Sequence, residues 1–486
     1  MNLLLASSEI HPYSKSGGLG DMVGAMARAM ASEGQQVAVV TPLYRGIRER
    51  FSELKKSDWP MRQLLGSQVV EASVWMLEAN PKLTFYFIDQ PEFYDRAGLY
   101  QENGVDYPDN AARFIFFSKC VTQLARDLPA KPDVVHVHDR QAGLVPLFIY
   151  HLRERAGWGN APRSCLTIHN LAYQGMFSRA HYDLTNLPLD YFHPDGAEFY
   201  GGLNCLKAGI TFADAITTVS PRYAREITTE AFGCGLDGVL RRRQHLLSGI
   251  LNGVDYGEWD PANDTLLPQA YSLENLEGKR ACKLALQREL GLPENADIPL
   301  FSNITRLVEQ KGVDIQLGAL EEMLAAEMQF VLLGSGSPVF ARAYQNLAER
   351  FPTKVVVRVG FDHTLSHRIE AASDFYLMPS LFEPCGLNQM YSLRYGTIPI
   401  VRLTGGLDDS VIDIAEDEDR ANGIKFNEHS VAALSKGIRK ALVLFSHSDL
   451  MQHFRKNAMT ADFSWKRTTA EYLKVYETAL QLRPAK

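Results

Sequence analysis

The sequence has few cysteines, and no two of them form the CxxC pair that is typical of zinc and dithiol redox sites. The six lie far apart, at Cys120, Cys165, Cys205, Cys234, Cys282 and Cys385. We therefore expect free thiols in a reducing compartment.

Long apolar runs are also missing. The opening segment MNLLLASSEI is too short for a signal-peptide core, lacks a preceding basic region and soon reaches Glu9. No window of about 18 residues is continuously apolar, which is the length that a membrane-spanning helix needs. The sequence therefore predicts neither a secreted nor a membrane-spanning protein.

Positive charge is not in excess: 50 Lys and Arg residues face 57 Asp and Glu residues, and the formal net charge is −7. The two signs are interspersed, so no basic stripe is present that could neutralise a nucleic-acid backbone. What the chain has is length, 486 residues with 46% hydrophobic residues. This is enough to bury the cores of two to four domains.

Short apolar segments alternate with amphipathic ones along most of the chain. LLLAS, VAVVTPLY, TFYFID and DVVHVHD read as strands, and segments such as GDMVGAMARAMASEG read as helices. This alternation predicts βαβ units and parallel sheets. A turn-rich stretch, LNGVDYGEWDPANDTLLPQAY, interrupts it, so we predict an α/β fold with two Rossmann-like domains, 1–255 and 256–463. The last helix, 464–486, is expected to join the first domain.

In open parallel sheets, ligands bind beyond the carboxyl ends of the strands. We therefore expect the loops that follow the strands of both domains to face a common interdomain cleft. Three such loops carry residues suited to binding an anion or a sugar.

The first loop, KSGGLGD, follows the first strand. Gly17 and Gly18 allow backbone amides to approach a ligand closely, and the next helix and Lys15 add positive charge. This predicts an anion site without the P-loop or dinucleotide-binding pattern. The alternative is that the glycines only close a tight turn.

The second loop, RLVEQKG, places Arg306 and Lys311 between a strand and a helix. A planar Arg fork and a Lys point charge suit a diphosphate. The alternative is a pair of solvated surface charges.

The third loop, LFEPCGLNQ, puts Glu383 at a strand end, before a helix predicted from Cys385 to Gly396. The carboxylate, the amides of residues 385–387 and Asn388 could bind sugar hydroxyls. The alternative is that Glu383 only caps the helix, a stabilisation of about 0.3–1 kcal/mol.

Two further patterns suggest metal chemistry. In HVHD, His136 and His138 could be metal ligands, but we interpret them as buried, hydrogen-bonded histidines because no cysteine or carboxylate ligand lies nearby in the sequence. EDED, at 416–419, resembles the DxD motif of metal-dependent glycosyltransferases, yet it lies in a polar loop and is interpreted as solvated surface.

In order and spacing, these motifs resemble the bacterial glycogen synthase and plant starch synthase family, retaining glycosyltransferases with two Rossmann-like domains (GT-B type). The resemblance rests on KSGGLGD, VVHVHDRQAGL, TIHNLAYQG, AGITFADAITTVSPRYAREI, ILNGVD, RLVEQKG, FEPCGLNQ and RYGTIPIV with TGGL. It runs from residue 1 to beyond 460.

The resemblance implies transfer of glucose from ADP-glucose to the nonreducing 4-OH of an α-1,4-glucan, with retention and without a metal or other cofactor. The first domain would be the acceptor side and the second would hold the nucleotide sugar. It implies these roles: catalytic groups Glu383, His169, Lys15, Arg306 and Lys311; donor-binding Lys15, Gly18, Asp21, Asn170, Arg306, Lys311, Phe361, Glu383, Cys385, Gly386, Leu387 and Asn388; acceptor-binding Asp139, Tyr173 and Gln174.

Breaking the bond between glucose C1 and a diphosphate leaves negative charge on the leaving group, which preorganised cations stabilise. Retention suggests either a carboxylate nucleophile, with Glu383 as candidate, or a same-face reaction in which the departing phosphate deprotonates the acceptor. We expect the second. Alternatives on the same fold are a sucrose-forming glucosyltransferase and an epimerase; a pyridoxal-dependent phosphorylase and a non-enzymatic glucan-binding module are others.

As partners we expect ADP-glucose and the glucan, with no nucleic acid and no membrane. A bacterial cytoplasm is the expected location, with a plastid stroma as the alternative for a mature plant-type chain. The oligomeric state has no signature in the sequence.

Overall fold

The structure, a computed structural model, describes residues 1–482 and divides into two compact units. Unit 1 comprises Met1–Gly253 together with the chain from Trp465 onward, and unit 2 comprises Val254–Ser464. Of the C-terminal helix expected over 464–486, the last four residues lie outside the described part.

Unit 1 contains one large sheet and two small ones in its described residues. Its strands are β1 (Asn2–Ala6), β2 (Gln36–Pro42), β3 (Lys55–Lys56), β4 (Met61–Leu65), β5 (Gln68–Asn80), β6 (Leu83–Asp89), β7 (Gln101–Glu102), β8 (Val105–Asp106), β9 (Val134–His138), β10 (Arg163–Ile168), β11 (Met176–Phe177), β12 (Glu198–Phe199), β13 (Gly202–Asn204), β14 (Ala215–Thr218) and β15 (Leu247–Gly249). Ten of these strands form the large sheet, in the order β15-β14-β10-β9-β1-β2-β6-β5-β3 with β4 paired to β5. The others form two small sheets, one with the order β11-β13-β12 and one in which β7 pairs with β8.

From β15 to β6 the pairing is parallel, as predicted from the alternating pattern. The apolar strand residues are buried; Leu3, Leu4 and Leu5 are at most 2% exposed. Helices cover a parallel sheet on both faces, which is why its strands read as continuous apolar runs. The antiparallel extension formed by β3, β4 and β5 is not part of the sequence prediction.

The helices of this part of unit 1 are α1 (Gly18–Ser32), α2 (Ile47–Arg50), α3 (Pro91–Tyr94), α4 (Asn110–Asp127), α5 (Val145–Arg155), α6 (Cys205–Phe212), α7 (Pro221–Glu226) and α8 (Asp237–Arg242). Helix α1 shows why these segments are helical. Met22, Met26 and Met30 are buried at four-residue spacing, and Asp21 in the first turn complements the helix dipole.

Unit 2 holds a smaller sheet, formed by β16 (Leu300–Leu307), β17 (Gln329–Gly336), β18 (Val355–Val359), β19 (Phe375–Met378), β20 (Ile398–Arg402) and β21 (Ile424–Phe426). All its pairs are parallel, in the order β18-β17-β16-β19-β20-β21. Its helices are α9 (Glu277–Leu290), α10 (Val313–Met323), α11 (Pro338–Arg350), α12 (His363–Ala372), α13 (Asn388–Arg394), α14 (Gly405–Ser410), α15 (Val431–Phe445) and α16 (Ser448–Thr460).

The remaining helix, α17 (Trp465–Gln481), belongs to unit 1. Its Tyr472 and Tyr476 are fully buried, and the Tyr476 hydroxyl lies 2.7 Å from Nδ1 of His136 on β9. Both units are therefore Rossmann-like, and the fold prediction is confirmed. Among residues 1–482, no helix combines the length and the apolar character needed to cross a membrane.

In each sheet the strand order reverses direction at one point. In unit 1 this switch point lies between β1 and β9, and in unit 2 between β16 and β19. Ligands of open α/β sheets bind at such points, outside the carboxyl ends of the strands. The topology therefore selects the loops after these four strands for closer inspection.

Candidate functional site

The loops after β16 and β19 are packed against each other at the switch point of unit 2. The Leu381 amide donates to the Gln310 carbonyl over 2.8 Å, and the Gln310 side chain donates back to the Phe382 carbonyl over 3.1 Å. Gly312 has a positive φ of 66°, and a Cβ there would lie 2.1 Å from the Pro379 carbonyl oxygen. The glycine of RLVEQKG is thus required by this close approach.

This packing brings Lys311 and Glu383 together. Lys311 Nζ lies 2.5 Å from Glu383 Oε2, and the Ser380 hydroxyl donates to the same oxygen over 3.0 Å. The exposed fractions are 18% for the Lys311 side chain and 8% for that of Glu383. Glu383 Oε1 has no hydrogen-bond partner among the described residues, so it can accept a hydrogen bond from a ligand hydroxyl.

Two glycines hold the Glu383 backbone. At Gly405, whose φ is 44°, a Cβ would lie 1.9 Å from the Glu383 carbonyl oxygen; at Gly406 it would lie 2.1 Å from that of Cys385. The Gly406 amide also donates to the Glu383 carbonyl over 3.1 Å. The glycines of TGGL therefore have a structural reason, which is to let α14 begin against this loop.

The helix after Glu383 starts later than predicted. It begins at Asn388 instead of Cys385, because Gly386 has a φ of 73° and breaks the helical path. The Gln389 side chain donates to the carbonyls of Cys385 and Gly386 over 3.1 and 3.0 Å and fixes this turn. In the described structure the amides of Gly386 and Leu387 donate to no acceptor, so they remain available to a ligand.

Asn388 is turned toward the sheet. Its amide nitrogen lies 2.9 Å from the Ile304 carbonyl oxygen and 2.6 Å from the Tyr376 hydroxyl. These two hydrogen bonds within unit 2 are a structural reason for an amide side chain at position 388. Its prediction as a donor-binding residue stays a prediction.

Arg306 lies in strand β16 and not in the loop where the sequence analysis placed it. The strand is longer than predicted because Arg306 and Leu307 still pair with Ser335 and Gly336 of β17. The Arg306 side chain is exposed and makes no ion pair or hydrogen bond with any residue in 1–482. Phe361, after β18, is 84% exposed. An exposed guanidinium near the end of β16 and an exposed aromatic ring after β18 thus lie at the carboxyl ends of two strands that are separated by β17.

In unit 1, the loop after β1 carries Lys15, which pairs with Asp21 over 2.6 Å. Both side chains are partly exposed, at 45% and 34%. A Cβ added at Gly17 or Gly18 would meet no atom within 4 Å, so open space faces the start of α1. The loop is therefore accessible to a ligand, although the open space does not by itself separate a binding loop from a surface turn.

Glu9 holds this loop, and the sequence analysis missed it. Its Oε2 accepts hydrogen bonds from the amides of Ser16 and Gly17 over 2.5 and 3.2 Å. Its Oε1 accepts from the hydroxyls of Ser16 and Tyr100, each over 2.6 Å. Glu9 is 3% exposed. The signal available in the sequence was a carboxylate at the end of β1, which a single sequence does not distinguish from a surface charge.

Three histidines lie beyond or within adjacent strands of unit 1. His136 Nε2 contacts the Thr167 hydroxyl over 2.6 Å, and His138 Nδ1 lies 3.1 Å from His169 Nε2. Burial lowers the pKa of His136 to about 3 and that of His138 well below its usual value. The interpretation of HVHD as buried, hydrogen-bonded histidines is confirmed for these two rings.

His169 follows β10 and contacts the His138 ring. Burial lowers its pKa, although the nearby carboxylates of Asp139 and Glu9 act in the opposite direction. The His169 amide donates to Asp139 Oδ1 over 2.8 Å, and Asp139 itself has a positive φ of 55°. Burial also raises the Asp139 pKa. His169 is therefore neutral at pH 7, and Asp139 fixes the backbone that carries it.

The remaining acceptor candidates differ in exposure. Tyr173 is 56% exposed, with the Arg140 guanidinium 5.5 Å from its ring centroid. Gln174 is 7% exposed; its amide nitrogen donates to the Cys234 carbonyl over 2.9 Å and its oxygen accepts from Asn204 over 2.7 Å. Asn170 accepts from the Ala172 amide over 3.0 Å. Tyr173 is thus the accessible member of this group.

The EDED segment is a surface turn. Glu416, Glu418 and Asp419 are exposed, and Lys425 pairs with Glu416 over 2.8 Å. Its interpretation as solvated surface is confirmed.

Comparison with known families divides the chain in the same way as the fold. The family described as "Starch synthase catalytic domain" matches residues 2–242, and the family described as "Glycosyl transferases group 1" matches residues 286–460.

Curated proteins match over the whole chain. A glycogen synthase of Anaeromyxobacter sp. (strain Fw109-5) is 46% identical over 481 residues, which cover 98% of this chain and 99% of that protein. A glycogen synthase of Opitutus terrae is 42% identical over 481 residues, covering 99% of this chain and 100% of the relative.

Solved structures agree. The catalytic domain of Starch Synthase IV from Arabidopsis thaliana, in a structure bound to ADP and acarbose, superposes with a TM-score of 0.87 at 32% identity and 99% coverage of both chains. The sucrose-phosphate synthase of Thermosynechococcus elongatus superposes with a TM-score of 0.60 at 16% identity and 98% coverage of both, which is a likeness of fold alone.

Proposed function

Because the chain belongs to the glycogen synthase and starch synthase family of glycosyltransferases, we propose that it transfers glucose from ADP-glucose to the nonreducing 4-OH end of an α-1,4-glucan, with retention and without a metal ion. The observation that carries the proposal is the Lys311–Glu383 pair at the switch point of unit 2, in loops that follow β16 and β19, with the exposed Arg306 near the end of β16. The ADP named for the Arabidopsis structure supports ADP as the leaving group.

The leaving group needs positive charge. In this proposal, Arg306 presents a planar fork to the diphosphate and Lys311 adds a second cation. From unit 1, Lys15 and Gly18 are proposed to contact the phosphate and the sugar, and Asp21 orients Lys15 through their ion pair. Asn170 is proposed to contact the donor as well. Phe361 stacks on the adenine ring. These side-chain charges supply the stabilisation that a metal ion provides in other transferases.

The glucose of the donor is held by Glu383 and its loop. The free Oε1 of Glu383 accepts from a sugar hydroxyl, and the free amides of Gly386 and Leu387 donate to others. Cys385 is proposed to contact the donor through its backbone, and Asn388 is the last of the proposed donor-binding residues in this loop. Since Glu383 Oε2 already binds Lys311 and Ser380, the carboxylate is fixed in orientation before the donor arrives.

His169 acts as a neutral hydrogen-bonding group at the reacting centre. His138 Nε2 is buried without a hydrogen-bond partner in the described part of the chain, so an N–H there would be an orphaned donor. We therefore assign the proton of His138 to Nδ1, which donates to His169 Nε2. His169 then carries its own proton on Nδ1 and offers it to a substrate oxygen.

The transfer itself proceeds on one face of the sugar. The bond between C1 and the phosphate oxygen breaks, the departing oxygen takes the proton of the acceptor 4-OH, and the acceptor oxygen bonds to C1. A carboxylate that is ion-paired with Lys311 is a weak nucleophile, which supports this route over a covalent intermediate on Glu383. Asp139, Tyr173 and Gln174 are proposed to shape the acceptor side.

The relatives named above are bacterial glycogen synthases, which supports a bacterial cytoplasmic location and, as partners, the nucleotide sugar and the glucan. Nucleic acid and membrane are not among the expected partners.

The first experiment measures incorporation of labelled glucose into glycogen from ADP-glucose and UDP-glucose, each with EDTA. Glu383→Ala and Glu383→Gln are assayed in parallel, with circular dichroism to verify folding. We expect transfer from ADP-glucose in the presence of EDTA, reduced about 10²–10³-fold in both variants. Transfer from UDP-glucose alone, or loss of transfer with EDTA, contradicts the proposed donor or the metal independence. Trapping of a glucosyl ester on Glu383 contradicts the same-face route.

A further inference from the structure

Unit 2 contains a cluster of one carboxylate and two histidines that is separate from the Lys311–Glu383 pair. In the described part of the chain, Glu258, His363 and His367 have potential ligand atoms that all lie within 4.8 Å of one another. All three belong to unit 2. Glu258 lies in the turn-rich segment at the start of the unit, and the histidines lie on α12.

The two histidines share one face of α12. They are four residues apart, which places side chains above one another on a helix, as in helical zinc motifs. Asp362 fixes the start of this helix, because its side chain accepts a hydrogen bond from the Leu365 amide over 2.9 Å. The ring centroids of His363 and His367 are 4.6 Å apart, and His363 Nε2 lies 3.8 Å from Glu258 Oε1.

His367 is held in a fixed orientation. Its Nδ1 lies 2.8 Å from Asp264 Oδ2, which also accepts from the Tyr395 hydroxyl over 2.6 Å. The Trp259 indole stacks on the His367 ring with 3.9 Å between centroids, and Tyr391 stacks on Trp259 over 4.0 Å. The His367 side chain is 1% exposed.

The free nitrogen of His367 has no protein partner. Asp264 also accepts from the Leu266 amide over 2.9 Å, and an ionised carboxylate in such a network accepts but does not donate. His367 Nδ1 therefore donates to Asp264, and Nε2 is the ring nitrogen left to bind an ion through its lone pair. This atom is buried and forms no hydrogen bond with a described residue. Buried polar atoms are rarely left unsatisfied, and a carboxylate that accepts from one nitrogen of an imidazole is the usual support for a metal on the other.

We propose that Glu258, His363 and His367 bind a divalent transition-metal ion of the zinc class, with Asp264 orienting His367. Two imidazole nitrogens and one carboxylate oxygen suit Zn²⁺, Co²⁺ or Ni²⁺, whereas Mg²⁺ and Ca²⁺ prefer oxygen ligands alone. Ligands about 2.0–2.1 Å from a tetrahedral ion lie about 3.3 Å apart. The Glu258 and His363 side chains are 49% exposed, so they can rotate by the small amount required and leave an open path for the ion and a water ligand.

None of these three side chains has a role in the proposed glucosyl transfer, so the metal site does not rest on that proposal. The ion joins the segment around Glu258 to α12, within unit 2, and so stabilises that unit. Glucosyl transfer in the presence of EDTA and metal binding at this site are therefore separate properties, and failure of one leaves the other in place.

The test uses the full chain with Cys234→Ser in every protein, since Cys234 is the exposed thiol and competes for metal. After EDTA treatment and dialysis, calorimetry with ZnCl₂ gives the stoichiometry and affinity, and CoCl₂ gives the visible spectrum of the ligand set. We expect one ion per chain, a tetrahedral cobalt spectrum and a higher melting temperature with zinc.

Two variants remove exposed ligands without disturbing the core: His363→Ala and Glu258→Gln. We expect each to weaken zinc binding at least tenfold, and Asp264→Asn to weaken it about 10–100-fold. The matched control is His447→Ala, another exposed histidine of unit 2, which should bind as the parent does. Absence of zinc binding by the parent, or unchanged affinity in both ligand variants, overturns the proposal.

Discussion

Lys311 Nζ lies 2.5 Å from Glu383 Oε2, although the two residues are 72 positions apart in the sequence. The pair exists because β16 and β19 are neighbours in the sheet and the loops after them are joined by hydrogen bonds. A mostly buried carboxylate depends on such a partner, since loss of one member leaves an uncompensated charge. Lys311 is therefore expected to serve both the fold of this loop and the chemistry.

Changing Lys311 to Ala should affect both activity and stability. We expect kcat with ADP-glucose to fall about 10²–10³-fold, because a preorganised cation is lost. The melting temperature should fall as well, because Glu383 is left partly buried and unpaired. Glu383→Gln in the Lys311→Ala background should recover part of the stability but none of the activity. A double variant no more stable than Lys311→Ala would refute the pairing argument.

Arg306 offers the contrasting case. Its guanidinium is exposed and unpaired in the described structure, so Arg306→Ala should leave the melting temperature within about 1 °C of the parent, as is usual for surface changes. The rate should still fall about 10²–10³-fold. Arg306→Lys should recover only a small part of it, because a point charge cannot reproduce the two-pronged contact with a diphosphate. The kinetics are measured with ADP-glucose and glycogen, and an unchanged kcat in Arg306→Ala speaks against contact with the leaving group.

The sequence was sufficient to predict the parallel core strands, because each is a short apolar run bounded by polar loops. It was also sufficient to select Lys311 and Glu383 as chemically notable. Their pairing was not predictable, because it depends on which strands are neighbours. Strand β5 was missed for a different reason: only Val74 of its thirteen residues is buried, so it lacks the apolar pattern that identifies the core strands.

Supporting residues were the hardest to predict. Glu9 acts by accepting backbone and hydroxyl hydrogen bonds, which leave no pattern in the sequence. The Glu258, His363 and His367 cluster combines segments more than 100 residues apart. The sequence-based expectation of no metal came from the family resemblance and concerned the transfer reaction, so it did not address this cluster. The start of α13 was predicted three residues too early. The positive φ of Gly386 ends the helical path there, and it belongs to a loop against which TGGL packs, a contact that the sequence does not show.

Glu9 is expected to act through the loop that it holds, as a positioning residue. Glu9→Ala removes all four hydrogen bonds to Ser16, Gly17 and Tyr100. Because Lys15 is adjacent to Ser16, kcat/KM for the donor should fall about 10–100-fold, mainly through KM, while the chain stays folded.

The matched control is Glu9→Gln. Its amide oxygen can accept from the two backbone amides, and its NH₂ group can donate to the hydroxyls of Ser16 and Tyr100, which are able to accept. This variant should keep kcat/KM within about threefold of the parent. Equal loss in Glu9→Gln and Glu9→Ala would mean that the negative charge of Glu9, and not its geometry, is what the loop needs.

The last prediction concerns Glu370 in α12. Burial raises its pKa from 4.5 to about 8, so the carboxyl is protonated at pH 7, with Oε2 accepting from the Ser392 hydroxyl over 2.7 Å. Oε1 is buried without a hydrogen-bond partner in the described part of the chain. The nearby Lys279 has its pKa lowered by burial to about 7, and its Nζ donates to the carbonyls of Ala371 and Tyr395, each over 3.0 Å.

Between pH 4.5 and 8, the folded chain keeps the Glu370 proton that the unfolded chain has released. Stability therefore falls as pH rises through this window. Lys279 has the opposite effect on stability between pH 7 and 10.5, because in that range the unfolded chain binds the extra proton. Lys279 is present in both proteins, so its effect cancels in the comparison. Glu370→Gln is uncharged at every pH, so its urea midpoint relative to the parent should rise steadily from pH 5 to pH 8. A difference that does not change with pH would mean that Glu370 is ionised in the folded chain at neutral pH, and that Lys279 compensates its charge.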